Sequence, residues 1–433
     1  MSTAFRRPFF LLLGAALCAA SMWLYLQRVL IPYQIADSAA HGRPRGNLSD
    51  LYPRWIGARE LLLHGRDPYS PEVTREIQAG YYGRVLDPSR SGDPKDQQGF
   101  VYPVYVVFYL APTVHLPFPA VQRAFFWILV GLTVFSIPVW LRVLRWPLPL
   151  WAQLCIMTLT LGSIAAMQGL KLQQLSLFEA PLLAAAVLLL VADHAAIAGV
   201  LLALATAKPQ LVWLLLLCLL VWTAGDWRRR WRWLASFLIT LAILSAASEW
   251  LLPHWIPRFL QALRDYRNYT GSVSVVEELI PTPWSWLLEL LALGAMVQAC
   301  WRARRQPADA IAFVQMVCLT LAVTVLILPA YAPYNQLLLI PSILMLARQR
   351  RAIWRENPAT RVLLILTAGI LVWPWPATAM LAGLSYTVPT HQLQRFWAIP
   401  FWTSLPLPVG VAALMLVYTH RESFLHSAGQ PTA

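Results

Sequence analysis

Apolar runs close to the ~20 residues a helix needs to cross a hydrocarbon core recur along this 433-residue chain from Phe9 to Val417. They predict spans at roughly 9–31, 119–141, 149–167, 175–192, 194–207, 209–224, 233–252, 283–300, 309–329, 335–347, 361–379 and 399–419. A segment in lipid must satisfy its own backbone polar groups, so runs of this kind predict helices. The expected fold is an all-α polytopic membrane protein of about 12 transmembrane helices, a single membrane domain over residues 1–433. Between the first two spans lies a polar stretch, 32–118; the rest divides into 119–252, a second loop at 253–282, and a C-terminal bundle at 283–433.

Composition supports lipid as the solvent: 58% of residues are hydrophobic and only 12% charged, too few polar groups to cover a soluble domain. Arg6 and Arg7 before an apolar run imitate a secretory signal. The run continues through Trp23 and Leu24 to Ile31, beyond a cleavable length, so an uncleaved first span is expected. With Arg6 and Arg7 on the cytoplasmic side, alternation leaves Arg142, Arg145, Arg228, Arg229, Arg230, Arg232, Arg302, Arg304, Arg305, Arg348, Arg350, Arg351, Arg355 and Arg361 in cytoplasmic loops. That is the positive-inside asymmetry. It gives the net charge of +14 a membrane explanation, and no nucleic-acid partner is expected.

Three local features qualify this picture. Residues 100–117 are apolar but broken by Pro103 and Pro112, which predicts an interfacial or re-entrant helix, with a thirteenth span as the alternative. The two short runs meeting at Lys208-Pro209 predict a hairpin that does not cross fully. Cys18, Cys155, Cys218, Cys300 and Cys318 all lie in or beside apolar runs without ligand-type spacing, and read as small core residues and not as a disulfide framework or zinc site.

Ionisable residues at membrane depth or at its edge are functional candidates, because leaving them unpaired there is costly. On the expected topology they gather in the exterior half: Asp50, Arg54, Arg59, His64, Asp67, Lys171, Lys208, Glu249, Arg258, Arg264, Asp265 and Arg267. Asp50 precedes a helical pattern with Leu51, Trp55, Ile56, Leu62 and Leu63 on its apolar side, predicting a helix along the membrane surface that Gly65 and Asp67-Pro68 end. Asp50 has two readings, a helix N-cap or a general base at the mouth of a membrane cavity. Gln168, Gln173, Gln174 and Ser176 read equally as holders of sugar hydroxyls or as interhelical glue. Glu179 and Glu289 lie deeper in apolar runs and could pair across helices. The stretch 86–99, rich in Asp, Pro, Ser and Gly, reads as a mobile flap. Its Asp87, Asp93 and Asp96 lack the paired arrangement that would hold a metal ion, so neither metal nor cofactor is expected.

An ordered series of motifs follows the first span: Asp50-Leu-Tyr52 leading through Ala58, Gly65-Arg-Asp-Pro68-Tyr69, Tyr102-Pro103 opening an apolar stretch to Pro117, Gln174-Leu-Ser176-Leu177, and Gly199 to Lys208-Pro209. In order and spacing this series resembles glycosyltransferase family 87, within the C-type superfamily of membrane glycosyltransferases. The resemblance implies a superfamily-type helix bundle whose long first extracytoplasmic loop carries interfacial helices. It also implies an inverting transfer of a hexose or pentose, mannose foremost, from a polyprenyl phosphate sugar to a glycan or glycolipid acceptor. The reaction would take place at the extracytoplasmic face of an inner membrane, with both termini cytoplasmic.

On that resemblance Asp50 is the base, and Lys208, Lys171, Arg264 and Arg267 steady the leaving phosphate. Substrate would touch Tyr52, Arg54, Arg59, His64, Tyr69, Tyr102, Gln174, Ser176, Tyr334 and Asn335. Family members often carry histidines in the late exterior turn, where this chain has Tyr334-Asn335. Two other function classes stay open: a transporter or flippase of a lipid-linked sugar, and a glycan polymerase or ligase centred on 253–282. Transporters tend to repeat their interrupted helices, and no second copy of the 45–215 pattern follows residue 230.

Overall fold

The computed structural model describes residues 3–43, 49–271, 273–329 and 331–428, and all regular elements among them are helical. Asn47, in the approach to Asp50, and residue 330 of the late turn lie outside the described residues. In chain order the helices are α1 (Thr3–Tyr25), α2 (Ile31–Ala40), α3 (Leu51–His64), α4 (Pro71–Tyr82), α5 (Val106–Leu110), α6 (Phe118–Val143), α7 (Leu150–Leu161), α8 (Ile164–Leu172), α9 (Ser176–Val191), α10 (Ala195–Leu204) and α11 (Trp213–Ala224). They continue as α12 (Trp227–Leu251), α13 (Trp255–Thr270), α14 (Val275–Leu279), α15 (Trp284–Ala303), α16 (Ile311–Ile327), α17 (Ile340–Trp354), α18 (Pro358–Val372), α19 (Pro374–Leu384), α20 (Thr390–Leu393), α21 (Ile399–Ser404) and α22 (Leu407–Ala428).

Six helical segments among the described residues are long and apolar enough to cross a membrane: Pro8–Ala40, Phe118–Val143, Trp227–Leu251, Trp284–Ala303, Pro358–Leu384 and His391–Thr419. The pair α7 and α8 makes a seventh if its 58° bend is counted within one span. The other expected runs are shorter apolar helices, among them α9, α11 and α16. At 1.5 Å per residue the 16 residues of α9 reach only ~24 Å of the ~30 Å core. The interruptions fall where the chain changes character: Gly162-Ser163 at the bend, and the 3-10 turns flanking Lys208 and beginning at Pro333. The run expected at 335–347 is such a 3-10 turn followed by α17.

α16 is buried from Phe313 through Leu326 on every face, and a helix apolar all round belongs inside a bundle. α11, α15 and α22 pack around it. Cys218 of α11 and Cys300 of α15 form a disulfide, with Cα atoms 5.6 Å apart. This corrects the expectation of five unpaired core cysteines, because two helices 82 residues apart in sequence bring the thiols face to face.

The bundle has two chemically different ends. At one, Arg230 donates to the carbonyls of Arg304 (2.6 Å) and Gln306 (2.8 Å), Arg145 pairs with Asp309 at 2.8 Å, and Arg348 donates to the Leu144 carbonyl. The 26 residues of α6 place Phe118 ~39 Å away along its axis. There Phe118 meets Tyr52 of α3 edge-on, with ring centroids 4.9 Å apart. The basic residues assigned to connecting loops thus gather opposite the first loop.

That loop folds into a helical cap. α3 is buried at Leu51, Pro53, Arg54, Trp55, Ile56, Gly57, Ala58, Glu60 and Leu61, packed against α4 and α5. The expected surface helix is therefore corrected to a core helix of the cap, since α4 and α5 cover what would have faced lipid. Gly57 permits the close packing: a Cβ there would lie 2.3 Å from the Phe100 ring. Gly65, at φ 64°, ends α3 in the left-handed conformation. Residues 100–117 contain only α5 and a 3-10 turn, packed on α3. The stretch 86–99 is tied down by Arg84 to Asp93, by the Asp93 carboxylate accepting the Asp87 N–H at 2.9 Å, and by Gln78, which bridges the Leu86 N–H and the Gln97 carbonyl.

Candidate functional site

Asp50 stands at the N-cap position of α3, yet its side chain makes no capping hydrogen bond. The Tyr81 hydroxyl, from the end of α4, donates to Oδ1 at 3.2 Å, and the Gln174 amide donates to Oδ2. The backbone is fixed as well: Asp50 N–H donates to the Leu172 carbonyl at 2.9 Å, joining the cap to the end of α8. Burial pushes the carboxyl up to about 6; Arg54 opposes this, Asp96 adds to it, and Tyr81 and Lys208 oppose it. Burial, with Asp50 beside it, holds the Tyr81 hydroxyl far above the usual tyrosine range, so it stays a donor.

Two cations lie within electrostatic reach of this carboxylate. Arg54 is buried on the first turn of α3, where its Nε donates to the Asp50 carbonyl at 2.7 Å and its terminal nitrogen to the Gln173 carbonyl at 2.6 Å. Its guanidinium lies over the Tyr102 ring, 5.3 Å from the centroid. Lys208 sits in the break between α10 and α11, where Nζ reaches Ser176 Oγ at 3.2 Å and Asn335 Oδ1 at 3.4 Å and lies 4.8 Å from the centre of the Tyr334 ring. Ser176 in turn donates to Asn335 Oδ1 at 2.7 Å. Residues 173–176 thus link both charges: Gln174 holds Asp50 and Ser176 holds Lys208. Gln173 serves the packing, since its side-chain oxygen accepts from Ser49 and Gln122 and its nitrogen donates to Leu170. Among the described residues, Gln168 Oε1 is buried without a hydrogen-bond partner.

The other candidates fall further out. Lys171 donates to Gln34 of α2, close enough to Asp50 for the two charges to interact. Tyr69 donates to the Tyr102 carbonyl at 2.5 Å, and Tyr52 is packed against Trp55 and Phe118. Arg59 lies over the Trp55 ring, its Nε buried without a hydrogen-bond partner. His64 ends α3, roughly 20 Å of helix from Asp50, and joins Glu60 in a surface group with Arg66 and Glu76. Arg264 and Arg267 are exposed on α13. At 100° per residue they face away from the side carrying Ala262, Asp265, Tyr266 and Tyr269, the side turned to the cap. Neither His64 nor these two arginines is brought to Asp50. Glu179 and Glu289 go to different partners: Glu289 accepts from Ser274 at 2.5 Å, and Glu179 is buried within electrostatic reach of Lys208 and Arg54.

A cavity of about 160 Å³ opens beside Arg54 between α3, α5, α6 and α9. Leu51, Val106, Leu110, Phe125, Ile128 and Phe178 make it apolar, and Arg54, Gln173 and Gln174 form its polar end. Ile128 is half exposed on the outer face of α6, so the groove communicates with the lipid side of that span. Sequence reasoning passed over Tyr81 and Tyr266 and weighed Asp96 only as a metal ligand; Tyr81 bonds Asp50 and the other two come within its electrostatic reach through the folding of α4, the 86–99 segment and α13 around it.

A family model described as Glycosyltransferase family 87 matches residues 100–329, more than half of the chain. The matched stretch covers Lys171, Gln174, Ser176 and Lys208, begins after Asp50 and Tyr81, and ends before Asn335. No curated protein and no solved structure matches this chain.

Proposed function

The chain belongs to glycosyltransferase family 87 and is a membrane glycosyltransferase, and from that premise we propose an inverting transfer of a hexose or pentose from a polyprenyl phosphate sugar to a hydroxyl at the extracytoplasmic face. The supporting observation is the Asp50 carboxylate, oriented by Tyr81 and Gln174 with Arg54 and Lys208 within electrostatic reach. Asp50 takes the proton of the acceptor hydroxyl as its oxygen attacks the anomeric carbon from the face opposite the phosphate. The sugar–phosphate bond breaks, its electron pair leaves on the phosphate, and the anomeric configuration inverts. A base titrating near 6 is ionised at neutral pH and still basic enough to assist.

Arg54 and Lys208 are the cations we assign to the charge growing on the phosphate. Both are fixed by hydrogen bonds before substrate arrives, so little reorganisation opposes the transition state. The groove beside Arg54 suits a polyprenyl chain, which needs apolar walls open to lipid and a polar end for its phosphate. Lys171 stands behind Asp50 as a further positive charge. The deciding experiment is an assay of purified protein with a panel of polyprenyl phosphate sugars and membrane-extracted acceptors. Transfer by the wild type, lost in Asp50→Asn at equal expression, is expected; no transfer from any lipid donor, or full activity of the variant, refutes the assignment.

A further inference from the structure

The cap contains a second cavity that this transfer scheme leaves unused. It measures about 600 Å³ and lies between α4, the 85–101 segment and α13. Its walls are mixed, adding to apolar residues such as Leu86, Phe100 and Val101 the polar groups that the first groove largely lacks: Thr74, Arg75, Lys95, Gln97, Asp265 and Tyr269 all border it. Its volume falls within the range of small-ligand sites. With hydroxyl, amide, carboxylate and cationic groups beside the rings of Tyr69, Phe100 and Tyr269, it offers both donors and acceptors.

Three connections tie this cavity to Asp50. Gln78 borders the cavity and Tyr81, three residues on with a rise of ~4.5 Å between them, donates to the Asp50 carboxylate from the tip of its side chain. Gln97 borders it too, and its neighbour Asp96 is close enough to act on the charge of Asp50. On the opposite side Tyr269 packs edge-on against Tyr266, ring centroids 5.6 Å apart, and Tyr266 itself lies within electrostatic reach of Asp50. Asp50 itself lines neither cavity; Arg54 and Gln174, which hold it, line the apolar groove, and Gln78 and Gln97 of the larger cavity are chain neighbours of Tyr81 and Asp96, which act on it.

Resting on the transfer reading, we propose that this larger cavity binds the saccharide end of the acceptor, with Tyr269 stacking on a sugar ring and Asp265 and Gln97 holding ring hydroxyls. A lipid donor must keep its chain in the membrane, whereas an acceptor sugar carries many hydroxyls that only a polar, water-facing site can satisfy. The separation also gives the reaction its line: acceptor from the cap side, leaving phosphate toward Arg54 and Lys208.

Saccharide binding is measured by saturation-transfer NMR titrations of the detergent-purified full chain with mannobiose, maltose, cellobiose and lactose, without any lipid donor. At least one disaccharide is expected to bind. Tyr269→Ala should weaken binding roughly tenfold and Tyr269→Phe less than ~3-fold, because the ring face is retained. Arg229→Ala, at the opposite end of the bundle, should change nothing. In transfer assays Tyr269→Ala should raise the acceptor KM and leave the donor KM unchanged. Absence of binding by all four sugars, or binding equal in wild type and Tyr269→Ala, overturns the proposal. Binding that needs Tyr269 in a protein that turns over no lipid donor keeps the saccharide site and removes the transferase reading instead.

Discussion

If Asp50 is the base, its titration should govern the rate. Burial, countered by Arg54 and reinforced by Asp96, brings its carboxyl to about 6 from an ordinary 3.8. Only the ionised form accepts a proton, so activity is lost as pH falls through about 6. With that midpoint the base is about nine-tenths ionised at pH 7 and about one-tenth at pH 5, so kcat/KM should drop roughly tenfold between them. At the ordinary value it would change by less than ~10% over the same interval. Asp96→Asn removes a like charge and should move the midpoint down, whereas Tyr81→Phe removes a hydrogen bond favouring the anion and should move it up. Asp50→Asn preserves side-chain volume; its oxygen can accept from Tyr81, and a flipped Gln174 amide can accept from its nitrogen. The fold should survive, with a rate loss of about 10²–10⁴-fold and a flat profile. The assay is initial transfer rate at fixed low donor from pH 4.5 to 8, with protein yield and melting temperature followed in parallel. A wild-type profile flat between pH 5 and 7, or Asp50→Asn within ~3-fold of wild type, would refute the reasoning.

Three further outcomes follow from the same geometry. Lys208→Met removes the cation held by Ser176 and Asn335 and should lower kcat about 10²–10³-fold, measured in single-turnover transfer; an unchanged kcat sinks its role at the phosphate. Gly57→Val forces a side chain into the Phe100 ring and should destabilise by ~1–3 kcal/mol, read as a lower melting temperature in detergent. With the native protein as blank, Lys95→Cys should react with an impermeant maleimide from outside intact cells and Arg229→Cys, whose native side chain is 88% exposed, only after permeabilisation; the reverse pattern removes the extracytoplasmic assignment.

Much of the architecture was readable from local pattern. The long first and second spans, the interruption at Lys208-Pro209 and the left-handed stop at Gly65 depend on residues within one or two turns, where hydropathy and backbone preference dominate. What escaped was long-range. α3 has an apolar side facing outward by its own periodicity, and nothing within it announces that α4 and α5 will cover that side. The disulfide is equally invisible, since 82 residues separate its halves.

The candidate site has the same division. Asp50, Lys208, Gln174, Ser176 and Asn335 were singled out as types that polar chemistry at a membrane edge requires, and the fold gathers them in two hydrogen-bonded groups, Gln174 with Asp50 and Lys208 with Ser176 and Asn335, joined through residues 174–176 of the chain. Tyr81 was passed over and Asp96 weighed only as a metal ligand, because their neighbours suggest an ordinary helix end and an ordinary polar loop. Yet these two, with burial, help set where Asp50 titrates. A carboxylate near a membrane surface acquires a base's character only when a closing cap excludes water while a tyrosine and an amide hold its oxygens. The cap and the carboxylate therefore act as one unit: loosening α4 from α3 should return Asp50 toward ordinary acidity before it alters the membrane bundle itself.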